Sequence, residues 1–196
     1  MIRGLRGEFY ILCLTDQFSG FAEVLALRSK DEAPLAVQTI ILRWMTQLHG
    51  YVFKCLRSDR AKEFLVKWFE DWLQSIGAVH ELSLMYTAQQ NSTVERYKGV
   101  LQGVARSIHI ESKLPKSFWP YAFLCACYLR NRLPNQGKKT PYELFYGVLP
   151  DVSLLRVFGC PCYVTLVNGK KRNKLDDRAE SGRLVGCSLV SKGYFI

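Results

Sequence analysis

The chain has 196 residues, is 48% hydrophobic, and carries 27 Lys and Arg against 17 Asp and Glu, a net charge of +10. That length suits one full core and part of a second, and the composition excludes a fibrous repeat, a disulfide scaffold and a disordered tail. Residues 1–102 hold 12 basic and 11 acidic side chains and residues 103–196 hold 15 and 6, net +1 and +9, so the excess charge points to a nucleic-acid or membrane-surface partner, with a solvated basic surface as the alternative.

No stretch reaches the roughly 18 apolar residues of a membrane span. The first eight residues lack the apolar run of a secretory signal. The seven cysteines form no C-x-x-C pair, and His49, His80 and His109 are dispersed, so no zinc spacing is present. Buried free thiols in a reducing compartment are the expectation.

In chain order, Tyr10–Thr15 (YILCLT) reads as a buried strand, Asp16–Gly20 as a turn, and Phe21–Leu27 as the returning strand. Residues 36–49 carry Val37, Ile40, Ile41, Trp44 and Leu48 at helical spacing, stopped by Gly50. Tyr51–Leu56 is the next strand. Lys62–Ile76 is helical, Ala78–Leu82 a strand, and Ser83–Asn91 a polar loop. Val94, Tyr97, Leu101, Val104 and Ile108 mark a long helix, and residues 118–133 another, closed by Pro134. Thr140-Pro141-Tyr142-Glu143 has a capping Thr, a first-turn Pro and an acid three residues on, with Gly147 closing that helix. After Pro150, Cys160–Val167, the Asn168-Gly169 turn, Leu184–Cys187 and Tyr194–Ile196 suggest a small β unit with a basic loop at 170–174. Together these predict a mixed α/β sheet with flanking helices, followed by that β unit.

Asp59 follows a predicted strand, where α/β sheets bind ligands. Glu95 lies in the first turn of the long helix. It also completes the pattern Ser92-x-x-Glu95, a capping box in which it would bond the cap backbone. Thirty-five residues separate the two carboxylates, one after a strand and one opening a helix. Two-metal phosphoryl-transfer sites need such hard oxygen ligands, converging from separate elements.

Ordered motifs carry a resemblance. They are Tyr10–Ser19, residues 28–32 (RSKDE), Leu56–Phe64 (LRSDRAKEF), Tyr86–Arg96 (YTAQQNSTVER), Leu114–Trp119, Tyr128–Pro134, Thr140–Gly147, Leu155–Tyr163, Lys174–Arg178 and Gly186–Tyr194. The chain resembles, over almost its whole length, the integrase of copia-type LTR retrotransposons, in the retroviral integrase superfamily. The resemblance implies an RNase H-like core over residues 1–148 and a partial SH3-like barrel over 149–196. It also implies an Asp, Asp, Glu triad holding two Mg²⁺ or Mn²⁺ ions. Carried over, the second Asp is Asp59 and the Glu is Glu95. The first Asp belongs to a strand that would precede Tyr10, so the expectation is a core truncated at its N-terminus. Asp16 matches a turn motif and is assigned a structural role.

Gln89, Gln90 and Asn91 would form the loop near the DNA end. Arg57, Arg60, Lys62, Arg96 and Lys98 would face phosphates. Where the family has Asn-Gly-Gly after its second Asp, this chain has Arg60, Ala61 and Lys62; Ser92 replaces a loop glycine, and Lys98 replaces an Asn. The implied parent chemistry is metal-dependent DNA integration, with DNA and further copies of the chain as partners, in the nucleus, with the cytoplasm as the alternative, and with no membrane and no secretion. The departures predict a copy that does not catalyse it. A nucleic-acid-binding remnant or an interaction protein is the alternative.

Overall fold

The computed structural model describes residues 2–48, 50–82, 92–134, 139–165, 178–187 and 193–196. The predicted loop at 83–91, with Gln89, Gln90 and Asn91, lies outside these, as do Asn168-Gly169 and the basic run 170–174.

Strands β1 (Tyr10–Thr15) and β2 (Ala22–Leu27) form an antiparallel hairpin with Tyr10 opposite Leu27 and Thr15 opposite Ala22. Its turn is held by Asp16, whose Oδ2 accepts from Ser19 N at 2.8 Å and Ser19 Oγ at 2.6 Å. Helix α1 (Ala33–Gln47) begins earlier than the apolar stripe suggests, because Pro34 fits a first helical turn. Its inward face, Val37, Ile40, Ile41 and Trp44, is buried.

Strand β3 is short, Cys55–Ser58, and pairs in parallel with β4 (Val79–Leu82). The segment from Tyr51 to Lys54 is not strand, because the ladder with β4 opens only at Cys55. The expected helix over 62–76 is split. A 3-10 turn at Lys62–Phe64 is followed by α2 (Lys67–Ser75), because Val66 is extended and caps the second piece. Phe69 and Leu73 of α2 are buried against Val37, Ile41 and Leu56.

Helix α3 (Ser92–Ser112) is 21 residues, about 31 Å at 1.5 Å per residue. It packs on α4 (Trp119–Arg132) through Leu101, Ala105, Ala122 and Ala126. The small alanines let the two helices approach closely. Helix α5 (Pro141–Tyr146) starts as read: Glu143 N donates to Thr140 Oγ1 at 3.0 Å, and Gly147 ends it with φ 73°, a left-handed turn that suits glycine. α5 supplies Phe145, which stacks on Phe21 at 4.4 Å and meets Trp44 edge-on at 5.0 Å.

The C-terminal β unit contains an antiparallel pair, β5 (Pro161–Thr165) with β6 (Ala179–Arg183), and a second, β7 (Gly186–Cys187) with β8 (Tyr194–Phe195). Strand β6 has no signal in the sequence pattern. Gly159 seats the unit on α3: a Cβ there would lie 2.4 Å from Ser112 Cβ. Phe158 and Val185 enter the α3–α4 core.

Among the described residues the strands pair as four separate two-stranded ladders rather than one hydrogen-bonded sheet. The β1–β2 and β3–β4 ladders are joined by packing: Leu12 and Leu14 of β1 reach the cluster that holds Leu56 and α1. Folding therefore depends on apolar burial to unite the halves, worth roughly 25 cal/mol per Å².

Candidate functional site

Asp59 follows β3 directly and is exposed. Its Oδ1 accepts a long hydrogen bond from Ala61 N at 3.3 Å, which turns the chain out of the strand. Ser58, just before it, is fixed from both sides. Its Oγ donates to the Asp59 carbonyl at 2.9 Å and lies 2.8 Å from His80 Nε2 on β4. Burial lowers the His80 pKa from its ordinary value, and the Glu70 carboxylate partly opposes that.

Arg57, expected to face phosphate, is engaged within the protein. Its Nε and Nη2 donate to Glu81 Oε2 at 3.0 and 2.7 Å. This cross-strand pair raises the Arg57 pKa and lowers that of Glu81. A bidentate guanidinium already satisfied by a carboxylate has fewer donors left for DNA. Arg60 and Lys62 are exposed and follow Asp59 directly.

Glu95 is exposed in the first turn of α3, a position that the helix dipole favours for an anion. Lys98 Nζ donates to its Oε1 at 2.9 Å. Lys98 also opposes the effect of burial on Cys13 of β1, whose thiol is nevertheless pushed up to about 12. The start of α3 therefore lies close to β1. Arg96 is exposed on the same turn.

Asp16 acts as a turn former, as expected. Burial, and after it the Asp16 carboxylate, raises the Tyr51 pKa, so Asp16 lies near the residues leading into β3, whereas Asp59 follows the far end of that strand.

Asp59 and Glu95 supply oxygens of the right hardness for Mg²⁺. Among the described residues, however, no three His, Cys, Asp or Glu side chains converge. Of these two carboxylates, Glu95 is already paired with Lys98.

The expectation of uniformly buried thiols needs correction. Cys127 is buried and its thiol rises to about 12, but Cys55 is exposed, because its strand turns that face outward. Cys125 and Cys127 lie on α4. Sequence reasoning also missed Asn131. Its Oδ1 accepts from Ala22 N at 3.0 Å and its Nδ2 donates to Ala22 O at 2.7 Å, clipping α4 to β2. Only the unexpected polarity of a residue on an apolar helix signalled it.

Residues 160–196 match the retroviral polymerase SH3-like domain family. The chain is 31% identical over 195 residues to the retrovirus-related Pol polyprotein from transposon TNT 1-94 of Nicotiana tabacum, covering 98% of this chain and 14% of that protein. It is 28% identical over 191 residues to the Pol polyprotein from transposon RE1 of Arabidopsis thaliana, covering 94% and 12%. The chain thus spans only a small part of these relatives.

Among solved structures, it resembles the catalytic core domain of BIV integrase, with TM-score 0.53 and 22% identity over 70% of this chain and 85% of that one. It also resembles the HTLV-2 integrase catalytic core in complex with magnesium (dimeric form), with TM-score 0.50 and 19% identity over 67% and 80%. At those identities the likeness concerns the fold: helices flanking short strands in the RNase H-like order of an integrase core. The chain is a homologue of the copia-like retrotransposon Pol polyproteins; its fold is the RNase H-like one of integrase catalytic cores, and residues 160–196 match the SH3-like family.

Proposed function

We propose that this chain is an integrase-type DNA-binding core in which Asp59 and Glu95 face one cleft as candidate metal-ligand carboxylates, and that alone it does not catalyse strand transfer. The placement of Asp59 carries this reading. It is an exposed carboxylate just past a parallel strand, backed by the His80–Ser58 contact. That is the strand end at which α/β folds place their chemistry. When bound, a divalent ion would supply Lewis-acid activation of a phosphodiester. Asp59 and Glu95 would hold it, and Arg60, Lys62 and Arg96 would meet DNA phosphates. Gln89, Gln90 and Asn91 keep their proposed role beside the DNA end.

Loss of catalysis is supported by Ala61 and Lys62 close to Asp59, where the family carries glycines. Backbone freedom near a metal is reduced by each such change. The magnesium in the HTLV-2 core supports divalent metal as the cofactor of the parent activity. The dimeric form of that core supports self-association here, and action on DNA implies work in the nucleus. Residues 1–148 would form the core and 149–196 the SH3-like unit.

The test is an oligonucleotide 3′-processing and strand-transfer assay with Mn²⁺, run beside D59N. Activity indistinguishable from D59N is expected. Activity above it overturns the inactive reading. DNA binding that does not respond to salt overturns the DNA-binding reading.

A further inference from the structure

A cavity of about 260 Å³ lies between β2, α4 and the C-terminal β unit, away from Asp59 and Glu95. Its floor is apolar, with Phe21, Val24, Leu124, Val185 and Phe195 among the lining residues. Its polar part is cationic. Arg43, Arg132 and Arg156 line it, against a single lining carboxylate, Glu23. Arg43 is committed to Glu23 through an ion pair. Arg132 and Arg156 are the other two lining arginines.

Arg132 is the better placed of these. Its guanidinium lies 3.4 Å from the Tyr128 ring centre and 4.9 Å from that of Tyr142, and Nη1 donates to the Tyr128 carbonyl at 3.2 Å. Its Nε is buried and has no hydrogen-bond partner among the described residues. A buried donor left unmade is unfavourable, and an anion accepting from it relieves that loss. Arg156 is exposed and bonded to the carbonyls of Ser153 and Leu155, which fix its head. Both arginines act on Cys187, a lining residue, and oppose the effect of burial on its thiol. Two fixed positive charges therefore converge on one apolar recess.

We propose that this recess is a binding site for a small aromatic anion, a ring bearing a carboxylate or a phosphate monoester. The ring occupies the apolar floor and the anionic head is held by Arg132 and Arg156. Planar guanidinium forks match both head groups, and Tyr128 keeps the Arg132 fork in place. The volume is just below the roughly 300–1,000 Å³ of drug-sized pockets, which limits the ligand to one or two rings. The site joins the core to the β unit, so its ligand also bridges the two.

The experiment is calorimetric titration of the full chain with phenyl phosphate and benzoate, with phenol and inorganic phosphate as half-ligands. One saturating site is expected for at least one aromatic anion, about tenfold tighter than either half-ligand, the effect of roughly one charge-assisted contact. R132Q is expected to weaken that binding about tenfold, and R156Q about threefold, by the same reasoning. K116Q, on the 3-10 turn before α4, should leave it unchanged. Circular dichroism checks that each variant folds; Arg156 is exposed, so R156Q keeps the test decisive if R132Q unfolds. Three outcomes overturn the proposal: no saturable binding, inorganic phosphate binding as tightly as phenyl phosphate, or native affinity in the folded arginine variants.

Discussion

His80 Nε2 on β4 lies 2.8 Å from Ser58 Oγ on β3, one residue before Asp59. Ser58 Oγ also donates to the Asp59 carbonyl at 2.9 Å, and with its proton so used the imidazole Nε2 would be the donor to Ser58. This relay fixes the peptide that carries the candidate carboxylate. Burial depresses the His80 pKa below 6.5 in the folded state.

The sign of the pH effect follows. A base with a depressed folded pKa leaves stability intact above its unfolded value. Stability falls as the pH drops below about 6.5 toward the folded pKa, because the unfolded chain binds the proton first. Urea midpoints at pH 7.5 and pH 5.5 should differ for the native chain. H80Q, which keeps a donor at the same place, should flatten that difference; an unchanged pH response would contradict the assignment.

Glu23 gathers two elements. Its Oε1 accepts from Trp44 Nε1 at 2.6 Å and its Oε2 pairs with Arg43, with only 8% of the residue exposed. E23A leaves a buried indole N–H and a half-buried guanidinium without acceptors. A loss of about 2–4 kcal/mol is expected from denaturant midpoints. E23Q, which keeps one acceptor, should lose less.

Asn131 holds the backbone N–H and C=O of Ala22 at once, with 5% exposure. N131L keeps the volume but leaves both groups of Ala22 without the Asn131 side chain. Destabilisation of about 2–3 kcal/mol is the expected result of equilibrium unfolding, against under 0.5 kcal/mol for an exposed substitution.

The thiols should divide by burial. Cys127, buried and raised to about 12, should resist a thiol reagent until the chain unfolds, and Cys13, partly buried and also raised to about 12, should react slowly. Exposed Cys55 should be modified in the native state, although burial and Glu81 raise its pKa somewhat. Mass spectrometry of alkylated peptides distinguishes them, and early labelling of Cys127 would contradict the packing.

DNA affinity should be weak and fall with salt, by about 0.9 in log–log slope per phosphate contacted. The R96Q/K98Q double variant should reduce that slope by one to two such increments. Anisotropy titrations at several salt concentrations measure it, and an unchanged slope would remove α3 from the interface.

What could be read in the chain was what depends on near neighbours. The α5 cap uses Thr140, Pro141, Glu143 and Gly147 within eight residues, and Asp16 closes its turn on Ser19 three residues away. Helix stripes such as Val37, Ile40, Ile41 and Trp44 were legible for the same reason, since period alone decides which face is apolar. The ordered motifs marked the integrase-like core, and the spacing of Asp59 and Glu95 marked candidate ligands.

Contacts across long sequence distances were decided only by the tertiary structure. Ser58 meets His80 because β3 and β4 pair in parallel, and Asn131 meets Ala22 because α4 crosses β2. The engagement of Arg57 by Glu81 and the convergence of Arg132 and Arg156 on one recess have the same origin. Each joins side chains more than 20 residues apart, and no local propensity encodes such a distance. Packing fixed them, because burying the apolar faces of α1, α3 and α4 leaves few ways to arrange the polar groups between them.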